Sequence, residues 1–131
     1  MTTALTIHDE TTSGERRQSL TLHLPEPTIT ARELIRARIF EEVKAYNEAR
    51  PERFLGLVQP SDTERELNGY KFREQRKLDW HAQSSAALEA FGRNGFLLLV
   101  DERQIESLDE EIRVRPETQV TFLRLVPLVG G

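Results

Sequence analysis

The sequence predicts an α+β fold, a mixed sheet packed on one main helix, with a helical insertion between that helix and the third strand. Three observations carry this expectation. Two stretches of alternating apolar residues open the chain, a long helix with complete start signals follows, and strongly apolar strands return only after residue 95. At 131 residues the chain suits a single domain with a real core. That core is expected over residues 4–48 and 96–125, with the insertion over 51–94 and a short tail over 126–131.

Leu5 and Ile7 alternate with Thr6 and His8, and Leu20, Leu22 and Leu24 alternate with Thr21 and His23. Each set reads as a strand with one buried face. The turn formers between them, Thr11 to Glu15, suggest a hairpin. Pro25 and Pro27 end the second strand. Thr30 then stands as an N-cap, with Glu33 placed for a capping box and Ile29 and Leu34 for a hydrophobic staple. Leu34, Ile35, Ile39, Val43 and Tyr46 form the apolar stripe of this helix, and Pro51 marks its stop.

The stretch from Arg50 to Gly95 is richer in charge. Ser61 with Glu64 reads as the cap of a short helix, and a second helix is expected from about Phe72 to Phe91, closed by Gly92 or Gly95. Phe96 to Val100 is a buried strand. Asp101 to Arg103 turns the chain into a short partner at Gln104 and Ile105, an edge that Ile112 and Val114 continue. After Pro116 to Thr118, a last strand runs from Val120 to Leu125.

Charged residues make up 31% and the net charge is -4, too mild to argue for nucleic acid or a membrane surface. The absence of cysteine removes disulfides, thiolate catalysis and sulfur-ligated metals together. Met1 to Glu10 lacks a signal-peptide pattern, and the longest aliphatic run is too short to span a bilayer, so a cytoplasmic protein is expected. No Ser-His-Asp set, carboxylate pair or phosphate loop stands out, so no enzyme activity and no cofactor is expected.

His8 and His23 fall on outward positions of neighbouring strands, but two histidines without a third ligand read as solvent-face residues, and no metal is expected. His81 beside Trp80 reads the same way. Lys71, Arg73, Arg76 and Lys77, near Tyr70 and Phe72, form a basic cluster that Glu64, Glu66, Glu74 and Asp79 largely neutralise. A solvated helix face is its expected role, with nucleic-acid binding and a protein-docking surface as the alternative readings. Glu106, Asp109, Glu110 and Glu111 form an acidic stretch suited either to steering a basic partner or to an ordinary loop.

The sequence ends in Gly130-Gly131. Glycine is about 7% of ordinary sequence, so a terminal pair arises by chance roughly once in 200 chains. Position adds weight, because the pair follows an apolar last strand after a short extended link. A carboxylate activated by another protein must thread through a narrow channel to a nucleotide. Glycine, without a Cβ, allows that close approach. Leu128 and Val129 offer apolar grip, and Pro127 stiffens the approach by fixing φ.

The segment VDERQIESLDEEIRVRPETQVTFLRLVPLVGG resembles the C-terminal half of β-grasp, ubiquitin-like proteins. It looks closest to the sulfur carriers, namely the small subunit of molybdopterin synthase and the thiamine sulfur carrier. FLRLVPLVGG is also similar to the Leu-Arg-Leu run before the ubiquitin diglycine, and the helix TARELIRARIFEEVKAYN stands in the expected place. The resemblance covers about residues 4–48 and 96–131, and the middle block departs from it. That departure makes the chain similar to the elaborated prokaryotic ubiquitin-like proteins encoded beside E1-like, E2-like and metallopeptidase genes, some in antiviral defence cassettes. The resemblance implies activation at the carboxylate of Gly131, with Gly130 beside it. It further implies that an E1-like enzyme, which consumes ATP, recognises Arg124, Leu125, Val126, Pro127, Leu128 and Val129. Target proteins, and in such cassettes an E2-like enzyme and a metallopeptidase, are the further expected partners. Two alternatives stand beside this protein-modifier expectation. One is a sulfur carrier bearing a C-terminal thiocarboxylate, and the other is a β-grasp interaction module that is never conjugated.

Overall fold

The computed structural model describes residues 3–12, 16–66, 69–74 and 76–125. In chain order the elements are β1 (Thr3–Thr11), β2 (Arg16–Leu24), β3 (Thr28–Thr30), α1 (Ala31–Ala49), β4 (Arg53–Phe54), β5 (Thr63–Glu66) and β6 (Gly69–Phe72). They continue with α2 (Trp80–Gly92), β7 (Phe96–Val100), β8 (Arg103–Ile105), β9 (Glu111–Arg113) and β10 (Val120–Arg124). Contacts divide them into two compact units, Met1–Leu34 with Phe91–Gly131, and Ile35–Ala90.

The first unit holds a five-stranded mixed sheet in the order β2-β1-β10-β7-β8. β1 runs parallel to β10 and every other neighbour is antiparallel. The alternation expected from sequence is what buries one face: Leu5, Ile7, Leu22, Leu24, Leu98 and Phe122 are each at most 2% exposed. The β7–β8 hairpin turns through Asp101 (φ 50) and Glu102 (φ 70). Two consecutive positive φ values are the type I′ geometry that matches strand twist. Asp101 fixes the turn to the start of β10, since its N–H donates to Gln119 O and its Oδ1 accepts Gln119 N–H, both at 2.8 Å.

The start of α1 behaves as its residues dictate. Thr30 Oγ1 accepts Glu33 N–H at 3.2 Å, and the staple residues Ile29 and Leu34 are both buried. The N–H groups of Ala31 and Arg32 reach Glu110 O and Leu108 O, both at 3.0 Å. A loop carbonyl thus accepts each of two donors that the first helical turn leaves unpaired. Ile112 does not continue the β8 edge but belongs to β9, which pairs with β3 in a separate two-stranded ladder, Ile29 opposite Ile112. Both residues are buried, so the short ladder is fixed by burial of two isoleucines rather than by its length.

The second unit differs more. Its strands form a three-stranded sheet, β4-β6-β5, so the stretch read as a helical insertion is part sheet. Ser61 and Glu64 do not cap a helix. Asp62 turns the chain with φ 58, Thr63 Oγ1 donates to Pro60 O at 2.7 Å, and Thr63 to Glu66 pair with β6. A polar segment has no apolar stripe to bury as a helix, whereas the ladder satisfies its backbone. The second helix starts at Trp80 rather than Phe72, because Asp79 Oδ1 caps His81 N–H at 3.0 Å. Ahead of it, Asn47 clamps Leu78 twice, accepting its N–H at 2.8 Å and donating to its O at 3.0 Å. Ile35, Ile39, Val43 and Tyr46 on α1 are buried, as the stripe predicts. Among the described residues no helix is long and apolar enough to cross a membrane.

Candidate interaction site at the C-terminal end of the central strand

β10 is the middle strand of the five-stranded sheet, and its last residue, Arg124, lies between Thr11 of β1 and Phe96 of β7. Thr12 N–H donates to Arg124 O at 3.1 Å, which extends the ladder to the strand's end. Arg124 is half-buried and Leu125 is 43% exposed. The remaining residues singled out from sequence, Val126, Pro127, Leu128, Val129, Gly130 and Gly131, lie outside the described residues.

Next to this end, the outer face of the sheet is partly apolar. Leu123 stands between Leu97 and Glu10, and Thr121 between Leu99 and His8, all half-buried. Beside Phe96 there is a hollow of about 220 Å³. Phe91, Phe96, Leu97 and Ile105 give its apolar wall, and Asn94, Gln104 and Glu106 its polar wall. Gly92, the last residue of α2, lines it too, and a Cβ built there meets nothing within 4 Å. The sequence reading took Gly92 only as a helix stop and did not connect these residues, which come together through the β7–β8 hairpin.

The acidic stretch resolves into separate roles. Asp109 pairs with Arg32 at 2.6 Å and Glu110 with Arg103 at 2.5 Å, while Glu111 lies in β9. Glu106 makes no ion pair among the described residues. His8 and His23 do not face each other: His8 lies opposite Ser19, and His23 opposite Ala4. Four residues separate those positions along β1, about 13 Å at strand rise. Among the described residues no group of three or more His, Cys, Asp or Glu is placed to hold a metal.

The basic cluster is not a helix face. Lys71 is exposed on β6, Arg73 and Lys77 flank the following loop, and Arg76 lies over the Phe72 ring, donating to Ser61 O at 2.8 Å. Arg53 is bound to Glu66, and that hydrogen bond first, then the Glu66 charge, raises its already high pKa. Burial raises the Tyr46 phenol above its ordinary value, against the opposing charges of Arg50 and Arg76. Sequence reasoning missed the buried pair of this unit, Arg38 and Glu42, joined Nε to Oε1 at 2.6 Å. The signal was present, since both fall on the apolar stripe of α1 at i, i+4 spacing. Trp80 also reaches α1, with Nε1–H donating to Arg36 O at 3.3 Å and its ring edge-on to Phe40.

No family model, curated protein or solved structure matches the chain.

Proposed function

We propose that the chain is a ubiquitin-like protein modifier of the β-grasp type, joined to other proteins through the carboxylate of Gly131. One observation carries the reading. The strand order β2-β1-β10-β7-β8, with the first and last strands parallel neighbours at the centre, supports a β-grasp reading of the sheet. In it the chain leaves the middle of the sheet at Arg124, with seven residues to go before the sequence ends in Gly-Gly. The chain is then the substrate of the chemistry and not the enzyme. An E1-like protein joins the Gly131 carboxylate to the α-phosphate of ATP, releasing pyrophosphate. A cysteine thiol of that protein or of an E2-like protein displaces AMP. An amine of the target then attacks the thioester, forms the amide and releases the thiol. Leu125 to Val129 would be the grip, and a metallopeptidase would be the enzyme that cuts the amide again. An antiviral defence cassette is the setting that fits the elaborated insertion.

A sulfur carrier uses the same tail and the same adenylate, and differs only in its last step, where sulfide replaces AMP. Incubation with an adenylating enzyme and ATP, read by intact-mass spectrometry, separates the readings. Covalent adducts on other proteins support the modifier. Gain of one sulfur at Gly131 supports the carrier. Deleting Gly130 and Gly131 should abolish both products and leave the melting temperature nearly unchanged. A truncated chain that is still activated and transferred refutes the proposal, and unmodified full-length chain in every assay favours a plain interaction module.

A further inference from the structure

The hollow beside Phe96 is smaller than the roughly 300–1,000 Å³ of ordinary small-molecule sites, so it suits one side chain rather than a cofactor. Its polar wall offers acceptors, the Asn94 and Gln104 amide oxygens and the Glu106 carboxylate, and that carboxylate has no cation paired with it among the described residues. Its floor is apolar, formed by Phe91 and Phe96, which are 8% and 2% exposed. A carboxylate beside two amide oxygens matches a planar, multiply donating cation better than a compact ammonium.

Position says which molecule brings it. Phe96 is the Cα partner of Arg124, so the hollow lies one strand from where the chain leaves the sheet. The six residues after Leu125 span at most about 20 Å when extended. A protein that holds the Gly131 carboxylate therefore lies within reach of the hollow. We propose that the hollow receives an arginine side chain of that protein, its guanidinium against Glu106 and the amide oxygens of Asn94 and Gln104. The site of contact stands on this geometry, and the identity of the partner rests on the function proposed above.

The test has two arms, both on the full chain. In the first, N-acetyl-L-arginine amide is titrated and backbone amide resonances are followed by NMR. Saturable shifts confined to residues 92–97 and 104–106, with a millimolar dissociation constant, are expected, and the norvaline analogue should give much weaker ones. Glu106→Gln should weaken arginine amide about two- to fivefold, the range of a solvent-exposed ion pair. Gly92→Trp, whose Cβ would meet nothing within 4 Å, sets a bulky ring at the rim of the hollow and should abolish the shifts while the protein melts no lower than wild type. Absence of saturable shifts, or equal shifts in Gly92→Trp, overturns the site. In the second arm, wild type and Gly92→Trp are offered to the adenylating enzyme with ATP. At least a tenfold loss of kcat/KM in Gly92→Trp is expected. Equal activation of the two overturns the proposal and leaves the modifier function standing, and failure of wild type to be activated overturns the partner assignment together with that function.

Discussion

Glu42 is the anionic half of a buried pair, and removing it should be among the most damaging single changes in the chain. The Arg38 and Glu42 side chains are 2% and 4% exposed. One Glu42 oxygen receives Arg38 Nε at 2.6 Å, and the other accepts the Leu57 N–H at 3.2 Å. Glu42→Ala leaves the guanidinium buried without this carboxylate and takes an acceptor from the Leu57 amide. Breaking a buried pair from one side costs about 3–5 kcal/mol. A chain of 131 residues has about 7–20 kcal/mol in total, at roughly 0.05–0.15 kcal/mol per residue. The variant should therefore fold but melt markedly earlier. Replacing both partners by apolar side chains, Arg38→Met with Glu42→Leu, removes the stranded charge. Its cost should fall to about 1–3 kcal/mol, with the lost acceptor of the Leu57 amide among what remains. Urea unfolding followed by circular dichroism and extrapolated linearly to water measures both. A loss below about 1 kcal/mol for Glu42→Ala, or a double variant as damaged as the single one, would refute this account of the pair.

Gly56→Ala should cost about 1–3 kcal/mol in the same assay, because the new Cβ would lie 2.1 Å from the Phe54 ring and 2.9 Å from Glu42 Oε2. Asn47→Ala removes both bonds to Leu78 and should cost about 1–3 kcal/mol, with faster hydrogen exchange at the Leu78 amide as the local readout. Glu102→Gly relieves a positive φ at the second turn position and makes the favoured Asp-Gly pair, so the melting temperature should rise by the equivalent of about 0.5–1 kcal/mol. Burial raises the Tyr46 pKa, so the unfolded chain loses this proton first and stability should fall as pH rises past about 10. Tyr46→Phe should flatten that fall, and identical slopes in the two proteins would contradict it.

The elements written most plainly in the sequence are those whose signals are local. Thr30 with Glu33 marks the start of α1, and the alternating leucines mark β1 and β2, because a cap and a pleat each need only neighbours along the chain. Phe96 to Val100 declares itself by continuous apolar character. Asp79 is as good a start signal as Thr30, and it sets the helix start at Trp80 rather than at the expected Phe72. The two bonds from Asn47 that hold the chain extended before Asp79 come from 31 residues away. The candidate site divides in the same way. The last strand ends at Arg124, one residue short of the expected Leu125, whereas the hollow beside it joins residues near 92 and 105 that no spacing rule relates.

By itself, the sequence determined α1, β1, β2, β7 and β10, the buried face of α1, β1 and β2, and that the chain carries no cysteine chemistry. Only the tertiary structure decided partners. β10 inserts between β1 and β7, β9 pairs with β3 rather than extending β8, and Thr63 to Glu66 becomes a strand because β6 is there to receive it. The physical reason is that a helix closes its hydrogen bonds within four residues, so its code is local. A strand leaves its bonds open to whichever segment packing brings alongside. Arg38 and Glu42 follow the same rule. Their spacing placed them on the buried stripe, but the Leu57 amide that accompanies them there was supplied by the fold.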